Sequence, residues 1–265
     1  MPLQLAFEET GSGPPVLILH GLFGSSSNWR SVARALVPRH RVLCVDLRNH
    51  GASPWADTMG YLEMAADVRA LLQARRLQQP WVVGHSMGGK TAMALALMDP
   101  AAVGGLVVVD IAPVAYADRM TQYVQAMGGI DTASLANRAA AQRRLTELLS
   151  DPGVVGFLLQ NLVNRNDHFD WRLNLAAIGL AVPQLSGFPP ELLGSRYDGP
   201  VALIHGMRSD YVTPADAARF AELFPQVRLP GHLQPIEGAG HWVHADKPAE
   251  FMTALQHALS ASIRT

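Results

Sequence analysis

The sequence predicts an α/β fold in which a mostly parallel central sheet is flanked by helices and interrupted late in the chain by a helical block. Three observations predict it. Short apolar runs ending in Gly, Asp or His alternate with longer helical patterns. Most of these runs are rich in Val, Ile and Leu with little alternation, as in strands covered on both faces. A chain of 265 residues, 49% hydrophobic and 16% charged, also has apolar material for a sizeable core.

The apolar runs lie at 16–20, 41–46, 80–84, 105–110, 201–205 and 227–236, after a weaker opening strand within 3–9. Helical patterns cover 28–36, 61–76, 87–98, 214–224 and 247–263. The alternation stops after Asp110 and resumes at Val201. The intervening residues are mostly helical in pattern, as at 139–149 and 171–180, with breaks at Gly128-Gly129, Asp151-Pro152-Gly153 and Gly187-Phe188-Pro189-Pro190. We therefore expect a core domain formed by 1–110 and 200–265, and a helical cap with its return segment at 111–199.

Composition narrows the function classes. With 21 Lys+Arg against 22 Asp+Glu, the chain lacks the basic excess that drives binding to nucleic acid or anionic membranes. The single cysteine, Cys44, forbids an internal disulfide or a multi-cysteine zinc site and fits a reducing, cytoplasmic setting. No run approaches the roughly 18 apolar residues of a membrane span, and Glu8 and Glu9 interrupt any secretory reading of the N-terminus.

The sharpest chemical signal is Gly84-His85-Ser86-Met87-Gly88, which follows a strand pattern and precedes a helical one. This is the context of a nucleophile elbow, where a tight strand-to-helix turn exposes a serine hydroxyl and glycines remove clashing side chains. The alternative is a Gly-rich turn arising from composition. The string Gly84 to Gly89-Lys90-Thr91 also meets the spacing of a phosphate-binding loop. The serine reading is preferred because partners for the hydroxyl exist elsewhere in the chain.

A serine hydroxyl needs a base. Of ten histidines, His241 in Gly238-Ala239-Gly240-His241-Trp242 follows the last strand pattern, in a loop able to reach Ser86. Its alternative is a solvent-facing loop histidine. His241 and His244 have no apparent third ligand, so zinc is not expected, and Asp167, His168 and Asp170 read as a solvated turn. His20-Gly21-Leu22-Phe23-Gly24-Ser25 stands where this architecture takes a backbone oxyanion donor, with His20 ordering the loop. The acid that orients the imidazole is open between Asp110, at a strand end, and Asp210, after the penultimate strand. Asp46-Leu47-Arg48-Asn49-His50-Gly51 reads as a structural loop with Asp46 and Arg48 paired.

Taken together, the strings at His20, Asp46, Ser86, Val109-Asp110-Ile111-Ala112-Pro113 and Gly238 to Ala245 resemble the α/β-hydrolase superfamily, and within it the YbfF-type serine esterases. The likeness covers nearly the whole chain. It implies the α/β-hydrolase fold with a helical cap inserted after the sixth strand. It also implies a carboxylesterase or thioesterase (EC 3.1) acting on small acyl esters and acyl-CoA thioesters through an acyl-enzyme, without metal or organic cofactor. The resemblance favours Asp110 as the triad acid with Ser209 as an auxiliary hydrogen-bond partner, and the Leu22 and Met87 N–H groups as oxyanion donors, Leu22 being preferred to Phe23.

Phe23, Tyr116, Tyr123 and Trp242 are candidates for substrate binding, with Met120, Met127, Phe157 and Leu158 as further acyl-pocket candidates; helical spacing alone fits an ordinary core equally. The same triad also serves a C–C bond hydrolase or a perhydrolase. A reading of another class is a non-catalytic ligand receptor built on a hydrolase scaffold. Nothing in the sequence indicates an oligomeric state.

Overall fold

The chain's apolar runs come together as one seven-stranded sheet in the computed structural model, which describes residues 1–227 and 233–260. In chain order its first half comprises β1 (Phe7–Thr10), β2 (Pro15–Leu19), α1 (Arg30–Leu36), β3 (Arg41–Val45), α2 (Tyr61–Ala74), β4 (Trp81–His85), α3 (Met87–Met98) and β5 (Gly105–Val109). The helical insertion follows with α4 (Thr121–Gly128), α5 (Arg138–Leu148), α6 (Pro152–Leu159), β6 (Leu162–Asn164), β7 (Phe169–Trp171) and α7 (Leu175–Ser186). The chain then returns through β8 (Val201–Gly206), α8 (Ala217–Leu223), β9 (Leu233–Ile236), α9 (Val243–Asp246) and α10 (Pro248–Ser260).

The strand order is β1-β3-β2-β4-β5-β8-β9, with β1 antiparallel to β3 and the remaining pairs parallel. Val16, Leu17, Ile18 and Leu19 have no exposed surface, as the unalternating sequence requires of a strand covered on both sides. Each such side chain contributes about 1.5–3 kcal/mol by leaving water. Helix α3 is buried on every side from Met87 to Leu97, Lys90 and Thr91 included, between the sheet and α2.

Three expectations are corrected. The insertion leaves the sheet after β5, the fifth strand in chain order rather than the sixth, because a single edge strand precedes β2. Before that strand, the Leu3 N–H donates to Asp67 instead of joining a ladder. Residues 171–180 are not one helix: Trp171 closes the β6–β7 hairpin and α7 starts at Leu175. Strands of three residues are too short to show alternation, and Asn166 takes the left-handed conformation (φ 76°) that the hairpin turn requires. Arg48 pairs with Asp67, not Asp46, through Nε–H to Oδ2 at 2.7 Å and a second guanidinium N–H to Oδ1 at 2.9 Å. Asp46 accepts instead from the Ser26 and Ala52 N–H groups. Parts of the expected strand 227–236 and helix 247–263 lie outside the described residues.

Candidate active site

Parallel strands deliver their carboxyl ends to one edge of the sheet, so five loops distant in sequence meet there. They follow β2, β4, β5, β8 and β9 and carry Leu22, Ser86, Asp110, Ser209 and His241, respectively. β2 lies between β3 and β4, so the chain reverses its direction of travel across the sheet at this point, opening a crevice between the β2 and β4 ends.

Ser86 sits between β4 and α3 at φ 54°, ψ −119°, a conformation that costs a non-glycine residue about 1–3 kcal/mol. The turn is held by Ser86 N–H to Val109 O and Lys90 N–H to Ser86 O, both at 3.0 Å. The flanking glycines are required by space. A Cβ on Gly84 would stand 2.2 Å from Gly88 O, and one on Gly88 would stand 2.4 Å from Leu19 O.

The Ser86 hydroxyl lies 3.1 Å from His241 Nε2, and His241 Nδ1 lies 2.7 Å from Asp110 Oδ2. With Nδ1–H donating to the carboxylate, Nε2 is the lone-pair nitrogen that faces the hydroxyl. Asp110 is fully buried and accepts at Oδ1 from Gly206 N–H (2.9 Å) and at Oδ2 also from Ser209 Oγ–H (2.5 Å). Asp210, the rival acid, is engaged elsewhere: both its oxygens accept from Arg119, at 2.9 and 2.7 Å. That exposed guanidinium holds the Asp210 carboxyl below its usual range.

Two residues without a distinctive sequence signal hold the imidazole. Tyr211 stacks on it with ring centroids 4.1 Å apart, and His85 Nε2–H donates to the His241 carbonyl at 2.8 Å. Burial, then the neighbouring His241 and His244, push the His85 imidazole well below its ordinary range, so it stays neutral. His244 stacks on Trp29 (4.2 Å), and burial draws it down to about 4. Tyr211 follows the Ser209-Asp210 pair but belongs to no periodic pattern, and His85 occupies the elbow's unspecified position.

The loop after β2 is ordered by two neutral histidines. His20 Nε2 accepts from Leu47 N–H at 3.0 Å while its Nδ1–H donates to Gly21 O. His50 Nε2 accepts from Phe23 N–H at 3.2 Å while its Nδ1–H donates to Arg48 O. Asn161 of the insertion donates to Phe23 O at 2.8 Å, so Phe23 is gripped on both sides at φ 62°. Its N–H is therefore committed, whereas no acceptor among the described residues takes the backbone N–H of Leu22 or of Met87.

Beside these groups opens a cavity of about 960 Å³. Phe23, Tyr116, Tyr123 and Trp242 all line it, as do Met120, Phe157 and Leu158. Met127 does not: it is fully buried in the core, and its carbonyl accepts from Trp171 Nε1–H. Asp167 and His168 pair with each other at the surface.

The α/β hydrolase fold family matches residues 14–248. The chain is 40% identical to the sn-1-specific diacylglycerol lipase ABHD11 of Mus musculus, over 96% of this chain and 84% of that protein. It is 36% identical to esterase YbfF of Escherichia coli K12, over 93% of each. Among solved structures, a marine microorganism esterase superposes with a TM-score of 0.91 at 34% identity, covering 96% of this chain and 98% of that one. No helix among the described residues is long and apolar enough to cross a membrane. On fold, site and kinship together, the chain belongs to the α/β-hydrolase fold family, as an enzyme of its esterase and lipase type.

Proposed function

We propose that the protein hydrolyses carboxylic esters, with acyl-CoA thioesters among its substrates, through an acyl-enzyme on Ser86. Ser86 Oγ attacks the carbonyl carbon as His241 Nε2 takes its proton, and Asp110, supported by Ser209, holds the tautomer and stabilises the imidazolium. The Leu22 and Met87 N–H groups receive the oxyanion, at the end of α3 where the helix dipole favours negative charge. Collapse breaks the bond to the alcohol or thiol, which takes the proton from His241. Water then attacks the acyl-enzyme with His241 as base, releasing the acid and restoring Ser86.

The observation that carries this reading is the continuous path Ser86–His241–Asp110, with contacts of 3.1 and 2.7 Å, of which Ser86 and His241 line the cavity. The cavity draws walls from both the sheet loops and the insertion, which supports a capping role for 111–199 and an acyl pocket including Phe23, Tyr116, Tyr123 and Trp242. The kinship with a diacylglycerol lipase supports glycerol esters among the substrates. Buried Cys44 fits a cytoplasmic setting.

A fluorophosphonate probe is expected to label the folded protein on the Ser86 peptide and to leave Ser86→Ala unlabelled, with nitrophenyl-ester turnover lost in parallel. Absence of labelling in folded wild type would overturn the reading in favour of a non-catalytic receptor.

A further inference from the structure

Lys90 has no part in the chemistry proposed above, yet it is 1% exposed and lies one turn beyond Ser86 in the central helix. An ammonium there is unfavourable twice, through lost hydration and through its position in the positive first turns of a helix. Three backbone carbonyls surround it: Val114 at 2.8 Å, Ser186 at 3.2 Å and Gly187 at 2.5 Å. A neutral amine carries two protons and an ammonium three, so the full set of acceptors calls for the charged form. Burial alone draws Lys90 down to about 7, and the three carbonyls act against that pull. With its protons so committed, the ammonium is not free for a phosphate, which removes the phosphate-loop reading of Gly89-Lys90-Thr91.

The acceptors occupy the two chain crossings that bound the helical insertion. Val114 lies on the outgoing crossing after β5, whereas Ser186 ends α7 and Gly187 opens the return. Tyr116 N–H donates to the same Ser186 carbonyl at 2.9 Å, joining the crossings to each other, and the Tyr116 ring covers the ammonium at 4.7 Å. Tyr116, Leu185 and Ser186 also line the cavity.

We propose that Lys90 is a positioning residue that pins both crossings of the insertion to the helix carrying Ser86, and so sets the wall of the acyl pocket. The relay Ser86–His241–Asp110 hangs on strand ends, and the outgoing crossing touches it indirectly, through Tyr116 O–H donating to the carbonyl of Tyr211, whose ring stacks on His241. Loss of the pin therefore moves the acyl wall more than the reacting groups, and its cost grows with the length of acyl chain that the wall must hold.

The test is Lys90→Met, which keeps the stem and removes the charge, with Lys90→Gln as a milder second variant. Amide exchange at Val114–Tyr116 and Ser186–Phe188 is expected to accelerate about tenfold relative to the sheet. KM for an octanoyl nitrophenyl ester is expected to rise about tenfold, with kcat and the acetyl-ester KM changing less than about threefold. Unaltered exchange at those segments overturns the proposal, as does an equal loss of kcat at every chain length. Failure of both variants to fold also overturns it, because a pin acting on the insertion leaves the sheet able to form. The kinetic arm rests on the serine-esterase reading, whereas the exchange arm can be run in a Ser86→Ala background and stands without it.

Discussion

Asp110 and His241 are 131 residues apart in the chain and 2.7 Å apart in space, joined by an Nδ1–H to Oδ2 hydrogen bond inside a fully buried carboxylate site. The carboxylate cannot exchange this partner for water, so the imidazole is held in one tautomer. An amide at position 110 would present a different donor–acceptor pattern to Nδ1. Asp110→Asn is therefore expected to lower kcat by about 10³- to 10⁴-fold. Asp210→Asn, which removes a surface pair with Arg119, should cost less than about fivefold. Steady-state kinetics on the two variants decides the matter, and a larger loss in the second would reassign the acid.

Ser209 Oγ–H shares Asp110 Oδ2 with His241. Ser209→Ala leaves that oxygen one donor short while the Gly206 N–H remains on Oδ1. A hydrogen bond to a charged group contributes about 1.5–3 kcal/mol, so kcat should fall roughly 10- to 100-fold with KM little changed. An unaltered kcat would show that Ser209 only fills space.

His50 decides which N–H of the loop after β2 is free, because it accepts that of Phe23. His50→Leu orphans a buried donor at a cost of about 1–3 kcal/mol and frees the loop to reorient. We expect kcat to drop and boronate-inhibitor affinity to weaken by similar factors, about 10- to 100-fold, since both report binding of the tetrahedral oxyanion. His50→Gln, whose side-chain oxygen can accept, should recover part of the loss. Weakened KM with unchanged boronate binding would contradict the role.

Stability should fall with acid in a defined window. Burial holds His50 at about 3 and His244 at about 4, both down from 6.5, while His20 and His85 are depressed in the same direction. Below about pH 6.5 the unfolded chain takes up protons that the folded chain refuses, so each such histidine removes up to about 1.4 kcal/mol per pH unit. The contribution of His244 is exhausted near pH 4 and that of His50 near pH 3. Urea unfolding at pH 7, 6 and 5 measures the slope, and His50→Gln should flatten it by about one proton's worth. Equal stability at pH 7 and pH 5 would refute the account.

Much of the core was legible in the chain because it is written locally. The run at 105–110 becomes β5 (Gly105–Val109), and the pattern at 87–98 becomes α3 over those very residues, since a buried strand or helix must be apolar along its length. Ser86 was legible for a related reason: the approach of Gly84 to Gly88 O leaves no room for side chains and forces glycine into the sequence. The β6–β7 hairpin was not, because its strands are too short to show a period and are held by the insertion around them. Proximity in sequence points Arg48 at Asp46, whereas folding brings it the carboxylate of Asp67 on α2.

The sequence by itself determined the class of fold and singled out Ser86 and His241 as candidates, because glycine spacing, apolar runs and chain order are properties of short segments. Only the tertiary structure decided between Asp110 and Asp210 as the partner of His241, committed Phe23 N–H to His50, and surrounded Lys90 with carbonyls from both ends of the insertion. Those outcomes depend on which strand ends and loops become neighbours, and hydrogen bonds acting over about 3 Å cannot be read from spacing along a chain that crosses the sheet between one partner and the next.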